Sequence, residues 1–153
     1  MSRAFVKEDA LPEGVLDRTV SANPNYVTAS GLAQIEAALE TARQAHGAAQ
    51  TSGDRAQLAK ASNELRYWSA RRGNAQVVKP DPSRNAVQFG STVTIERNGR
   101  KQTFQIVGED EADPSNGKIS YVSPLARAVM NREVGDTVTF RDSEIVIVAA
   151  HSD

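Results

Sequence analysis

The chain has 153 residues, 39% of them hydrophobic and 24% charged, with a formal net charge of −1, no cysteine and two histidines. That length holds one domain or two small ones, and the low apolar content suits an elongated protein better than one large core. The composition excludes a disulfide framework and a thiolate site, and the near-neutral balance lacks the basic footprint of an autonomous duplex-DNA binder.

Residues 1–25 mix charges with Pro12, Gly14 and Pro24 and show no sustained period, so they read as a flexible N-terminal arm. Acids stand where a signal peptide needs an apolar core, and no apolar run approaches the roughly 18 residues of a membrane span. The expectation is a cytoplasmic protein with no membrane contact.

Residues 26–73 read as an antiparallel helical hairpin of coiled-coil type. Thr28 is a suitable N-cap, and Leu32, Ile35, Leu39, Ala42, His46 and Ala49 recur at steps of three and four. Gly47 and Ser52-Gly53-Asp54 are break signals, and Asp54 or Ser52 can cap the second helix. Leu58, Ala61, Leu65 and Trp68 repeat the seam, and Arg71, Arg72 and Gly73 close the helix. The seam thins from Leu and Ile to Ala toward the tip, so the distal end is expected to be the less stable part.

From Val77 the period changes to two, and residues 74–153 read as a small antiparallel sheet with one short helix, an α+β arrangement overall. Val93 and Ile95 lie on one strand, Asn98-Gly99 is a hairpin turn, and Phe104, Ile106 and Val107 form the return strand. Ile119 to Val122 makes a further strand, Pro124 starts a short helix to Met130, and Thr137–Phe140 and Ile145–Val148 complete the sheet.

Few residues offer chemistry. Glu109, Asp110, Glu111 and Asp113 make an acidic loop without the spacing of a calcium loop, and a solvated loop is the plainer reading. Asp54 at the hairpin tip can be an N-cap or a carboxylate presented to a metal in another protein. Arg66, Arg71 and Arg72 with Tyr67 and Trp68 form a basic-aromatic cluster, with Trp68 expected on the seam.

Several segments resemble the Gre family of bacterial transcript-cleavage factors. They are Pro24-Asn-Tyr-Val-Thr-Ala-Ser-Gly-Leu32, Ser52-Gly-Asp-Arg55, Asn74-Ala-Gln-Val-Val78, Phe89-Gly-Ser-Thr-Val93, Gln105-Ile-Val-Gly-Glu-Asp-Glu-Ala-Asp113, Ser123-Pro-Leu-Ala-Arg-Ala128 and Val134-Gly-Asp-Thr-Val138. The resemblance spans about residues 24–149 and implies an N-terminal coiled coil followed by an FKBP-like domain. It implies that this second domain docks on the rim of the RNA polymerase secondary channel through Val122, Ser123, Pro124 and Arg127. It also implies that the hairpin tip, Ser52, Gly53, Asp54, Arg55 and Gln57, enters the channel.

In the family the tip carboxylates help hold a catalytic Mg²⁺ of the polymerase, which cleaves the transcript. The chain itself is then not an enzyme, holds no cofactor or metal alone, and shares at most that Mg²⁺. Three departures matter. Val122 replaces a usual Asp or Asn. Gln57 stands where the family has the Glu that follows Gly-Asp. Each arm is about eight residues shorter, roughly 12 Å of reach. Ala45-His46-Gly47 is a second candidate for the tip.

The expected function is therefore a Gre-like, polymerase-binding elongation regulator that competes for the channel and stimulates cleavage weakly or not at all. A genuine cleavage factor using Asp54 is the alternative, and an FKBP-like prolyl isomerase a remote one. Weak contact with nucleic acid inside a larger complex stays open.

Overall fold

The computed structural model describes residues 18–152, so most of the N-terminal arm, residues 1–17, lies outside the described residues. The elements in chain order are β1 (Asn25–Val27), α1 (Ala29–Ser52), α2 (Arg55–Gly73), β2 (Ala75–Val77), β3 (Thr92–Arg97), β4 (Arg100–Val107), β5 (Lys118–Ser120), α3 (Pro124–Val129), β6 (Thr137–Phe140) and β7 (Ser143–His151), with a 3-10 turn at Pro114–Asn116. They sort into two compact units. One comprises the N-terminal segment through Pro24 and Ala33–Asn74; the other comprises Asn25–Leu32 and Ala75–Asp153.

The first unit is the helical hairpin. Thr28 Oγ1 accepts the Gly31 amide at 2.9 Å, so α1 starts on the expected cap. On α1, Ile35, Leu39, Ala42 and Ala49 are buried and follow the expected stripe. Burial of Ile35 or Leu39 contributes about 1.5–3 kcal/mol, and an alanine methyl well under half of that, so stabilisation falls toward the tip.

On α2 the stripe differs from the expected one. Ala61, Asn63, Tyr67 and Arg71 are the buried residues, whereas Leu58, Leu65 and Trp68 remain half-buried. Asn63, Tyr67 and Arg71 share one face at steps of four, and the polar ends of long side chains hid that face from an apolar count.

Gly47 does not break the chain. Helix α1 runs through it to Ser52, which also removes Ala45-His46-Gly47 as a tip. The C-terminal end of α2 differs as well: Gly73 stays helical, and the Asn74 amide closes the last turn on Ala70 O at 3.1 Å.

The arm departs from expectation where it is described. Arg18 lies over the Tyr67 ring at 3.8 Å and pairs with Glu64 at 3.2 Å, so the chain just ahead of β1 packs on α2.

The second unit is built on a five-stranded sheet in the order β5-β4-β3-β7-β6. Asn98 and Gly99, with φ of 55° and 76°, form the tight turn that Asn-Gly predicts between β3 and β4. The sheet is mixed rather than wholly antiparallel, because β5 runs parallel to β4 with Ile106 opposite Ile119. The loop of residues 108–117 between those strands permits the crossover that a parallel pair needs.

Val87, Val93, Ile95, Phe104, Ile106, Val129, Ile145 and Ile147 form the core under α3. A separate parallel pair, β1 with β2, puts Asn25 opposite Ala75 and Val27 opposite Val77. Asn25–Leu32, which lead into the hairpin, therefore group by their contacts with the second unit, although the sequence reading assigned residues 26–73 to the hairpin. A three-residue strand pairing at long range leaves no periodicity to read.

Candidate functional site: the hairpin tip and the α3 turn

The tip is a short, well-hydrogen-bonded reversal. Ser52 Oγ donates to Ala49 O at 2.9 Å and accepts the Asp54 amide at 3.1 Å. Gly53 takes φ +74°, a left-handed conformation that a side chain would strain, and its amide reaches back to Ala49 O. Asp54 is the N-cap of α2: its Oδ1 accepts the amides of Ala56 at 2.9 Å and Gln57 at 3.2 Å. Asp54 Oδ2 takes no hydrogen bond among the described residues. Ser52, Gly53, Asp54, Arg55 and Gln57 are all exposed, and Gln57 Oε1 lies 3.4 Å from Ser52 Oγ. Asp54 is thus the cap of α2 and an exposed carboxylate at the tip.

In the second unit, β5 leads through Tyr121 and Val122 into α3. Ser123 is the N-cap and accepts the Ala126 amide at 3.3 Å; Pro124 occupies the first helical position, where no amide hydrogen is needed. Ser120 Oγ holds the Val122 amide at 3.2 Å, and Ser120 O holds that of Ser123 at 3.0 Å. In this turn Pro124 and Arg127 are exposed and Val122 and Ser123 half-buried.

The acidic loop is not the solvated run expected. Glu111 is buried, accepts the Thr28 hydroxyl at 2.5 Å and pairs with Lys118 at 3.6 Å. Asp113 Oδ1 and Oδ2 accept from Ser115 Oγ and Asn116 Nδ2 at 2.8 and 2.6 Å, and these bonds hold its carboxyl below the ordinary value of 3.8. No group of three potential metal ligands occurs among the described residues.

The basic-aromatic cluster is taken up by packing. Arg71 is fully buried, Arg72 pairs with Glu36 at 2.9 Å, and Arg66 donates to Asn63 at 3.0 Å. Tyr26, Phe89 and Tyr121 pack on one another with centroids 5.4–6.2 Å apart.

The described chain thus combines a helical hairpin whose turn is capped by a carboxylate with a β-rich unit whose α3 starts on a Ser-Pro cap. The family model described as transcription elongation factor, GreA/GreB, C-term, matches residues 81–149. Transcription elongation factor GreA of Legionella pneumophila (strain Corby) is 40% identical over 114 residues, covering 69% of this chain and 71% of that protein. This chain belongs to the GreA/GreB transcription elongation factor family.

GreA of Thioalkalivibrio sulfidiphilus is 42% identical over 94 residues, covering 55% of this chain and 60% of that relative's length. Among solved structures, GreA factor homolog 1 of Thermus thermophilus aligns with a TM-score of 0.41 at 21% identity, covering 85% of this chain and 100% of that one, a superposition too loose to bear on function. No described helix is long and apolar enough to cross a membrane.

Proposed function

We propose that this chain binds bacterial RNA polymerase through the α3 turn, inserts its hairpin into the secondary channel, and regulates elongation by occupying that channel, with little or no stimulation of transcript cleavage. The observation that carries this reading is the chemistry of the tip. A shared, weakly held Mg²⁺ needs anionic oxygens in direct contact, at about 2.0–2.6 Å. Asp54 has one oxygen bonded to two backbone amides, which already draw on its negative charge, and Gln57 is a neutral amide.

The arms support the same conclusion. Helix α1 has 24 residues and α2 has 19, or about 36 and 28 Å at 1.5 Å per residue. Arms eight residues shorter than a cleavage factor's leave the tip roughly 12 Å behind, beyond the reach of any carboxylate side chain. Val122, Ser123, Pro124 and Arg127 are the docking residues in this reading. The polymerase would perform any cleavage, and Mg²⁺ would belong to its site.

A second reading rests on Asp54 Oδ2, which takes no hydrogen bond among the described residues and meets a metal if docking brings the tip close. The test uses stalled, backtracked elongation complexes incubated with the parent chain, with Gln57→Glu, and with a form carrying eight added residues per arm in heptad register plus that Glu. The parent and the point variant should displace a channel-binding factor without cleaving, and the lengthened form should cleave. Robust cleavage by the parent would replace this reading with the second. Absence of any binding, in the parent and in Arg127→Glu alike, would refute the polymerase partner itself.

A further inference from the structure

The sequence contains two Asn-Gly pairs, Asn98-Gly99 and Asn116-Gly117. With no Cβ on the second residue, its backbone nitrogen approaches the asparagine side-chain carbonyl carbon without hindrance. Both pairs lie in turns of the β-rich unit, and both glycines have positive φ, 76° and 74°. Their surroundings differ.

Asn116 is held at both reacting groups. Its Nδ2 donates to Asp113 Oδ2 at 2.6 Å, and the Gly117 amide donates to Pro114 O at 3.1 Å. Asn98 is held at neither. Residues 98–101 are exposed, and neither the Asn98 side chain nor the Gly99 amide has a hydrogen-bond partner among the described residues. The strand pair is also weak where it meets this turn. Arg97 and Arg100 stand directly opposite one another, a like-charge pair that disfavours closure. Arg97 turns instead to the Phe140 ring, 5.8 Å from its centroid.

We propose that Asn98 is a site of deamidation and isoaspartate formation, and that the fold protects Asn116 from the same reaction. The Gly99 nitrogen gives its proton to water or hydroxide and bonds to Asn98 Cγ. The Cγ–Nδ2 bond breaks, and the side-chain nitrogen leaves as ammonia, closing a cyclic imide. Water then opens the ring. Hydrolysis at the side-chain carbonyl gives aspartate, and hydrolysis at the main-chain carbonyl gives isoaspartate, in which the main chain runs through Cβ. No oxidant or cofactor enters. Ring closure needs the turn to open, and the Arg97–Arg100 repulsion lowers the cost of opening it. The same two guanidiniums flank the new carboxylate in sequence and favour its charge. Isoaspartate adds a backbone atom to a two-residue turn, which strains the register from Arg97–Arg100 inward. It also creates the substrate group of a carboxyl methyltransferase that acts on isoaspartyl chains.

The full-length protein is held at mildly alkaline pH and physiological temperature, then treated with an isoaspartyl methyltransferase and labelled S-adenosylmethionine. A glutamate-specific protease separates the two sites, because Glu109 and Glu111 lie between them. Label should accumulate on the peptide of Asn98 at least about tenfold faster than on that of Asn116, the factor that one charge-assisted hydrogen bond supplies. Asn98→Gly keeps the positive φ of the turn and should abolish label on residues 97–109. Asp113→Ala frees Asn116 Nδ2 and should raise label on its peptide. Equal rates at the two sites in the parent, or an unlabelled Asn98 peptide, would overturn the proposal. So would label that survives Asn98→Gly, and an Asn116 rate unmoved by Asp113→Ala would overturn its protection by the fold.

Discussion

The Thr28 hydroxyl donates to the buried carboxylate of Glu111, 83 residues away, while the same hydroxyl oxygen accepts the Gly31 amide that opens α1. The helix cap and the acidic loop are one hydrogen-bonded unit. Gly31 belongs to it by default, since a Cβ there would lie 2.6 Å from Glu111 Oε1. Thr28→Ala removes both the cap and the donor, and Glu111→Ala leaves the hydroxyl without its acceptor and Lys118 without its anion. Each should destabilise by about 1–3 kcal/mol. The double mutant should cost less than the two singles together, by about 0.5–3 kcal/mol, in urea unfolding. Strict additivity would show that the two groups do not act together.

Gly47 sits inside α1 with nothing within 4 Å of where a Cβ would be placed. Alanine there restricts the unfolded chain and satisfies helix propensity without a clash. Gly47→Ala should stabilise the hairpin by about 1 kcal/mol, read as a higher denaturation midpoint and increased helical circular dichroism. A neutral or negative effect would mean that the local helix is bent or open in solution.

The turn from β6 to β7 places Arg141 and Asp142 at φ 50° and 66°, where glycine or asparagine is favoured. The β3–β4 turn meets the same demand with Asn98-Gly99. Replacing Arg141-Asp142 by Asn-Gly should therefore raise stability by about 1–2 kcal/mol. Calorimetry on the parent and the double variant checks this. A lower melting temperature would instead indicate that the Arg141 stack on Phe140, at 5.0 Å, outweighs the backbone strain.

Asp113 should titrate below 3.8, because Asn116 and Ser115 stabilise its charged form. A depressed folded-state value gives a contribution that is fully present above the unfolded value and is lost as pH falls through the folded one. The loss therefore falls in the acid range, below pH 3.8. Asn116→Ala should move the carboxyl resonance of Asp113 toward ordinary aspartate behaviour in an NMR titration. No movement would assign the depression to the remaining partners, Ser115 and Lys118.

The parts of the fold that were legible in the sequence are those whose signals are local. Asn98-Gly99 marked its turn, Pro124 its helix start, Thr28 and Asp54 their caps, and the alternation around Val93 and Ile95 its strand. What escaped depends on partners distant in sequence. Tyr67 and Arg71 are buried by their neighbours, not by their own spacing, and Gly47 reads as a breaker only if the surrounding helix is ignored. Glu111 looked solvated because no local pattern announces Thr28. At the tip, the sequence named Asp54 and left its two roles as alternatives. The structure shows the first of them, with one carboxylate oxygen accepting the amides of Ala56 and Gln57.

The short ladder of β1 with β2 has a consequence for how this protein varies. It joins Asn25–Val27 to Ala75–Val77, so the two points where the chain leaves and re-enters the β-rich unit are adjacent. The residues between them form a cassette spliced into a domain that is continuous in space but not in sequence. Lengthening or shortening that cassette by whole turns leaves the splice points, and the core of Val87, Ile95 and Ile147, untouched. The length of the helical pair and the residues of its turn can therefore change without that core being rebuilt.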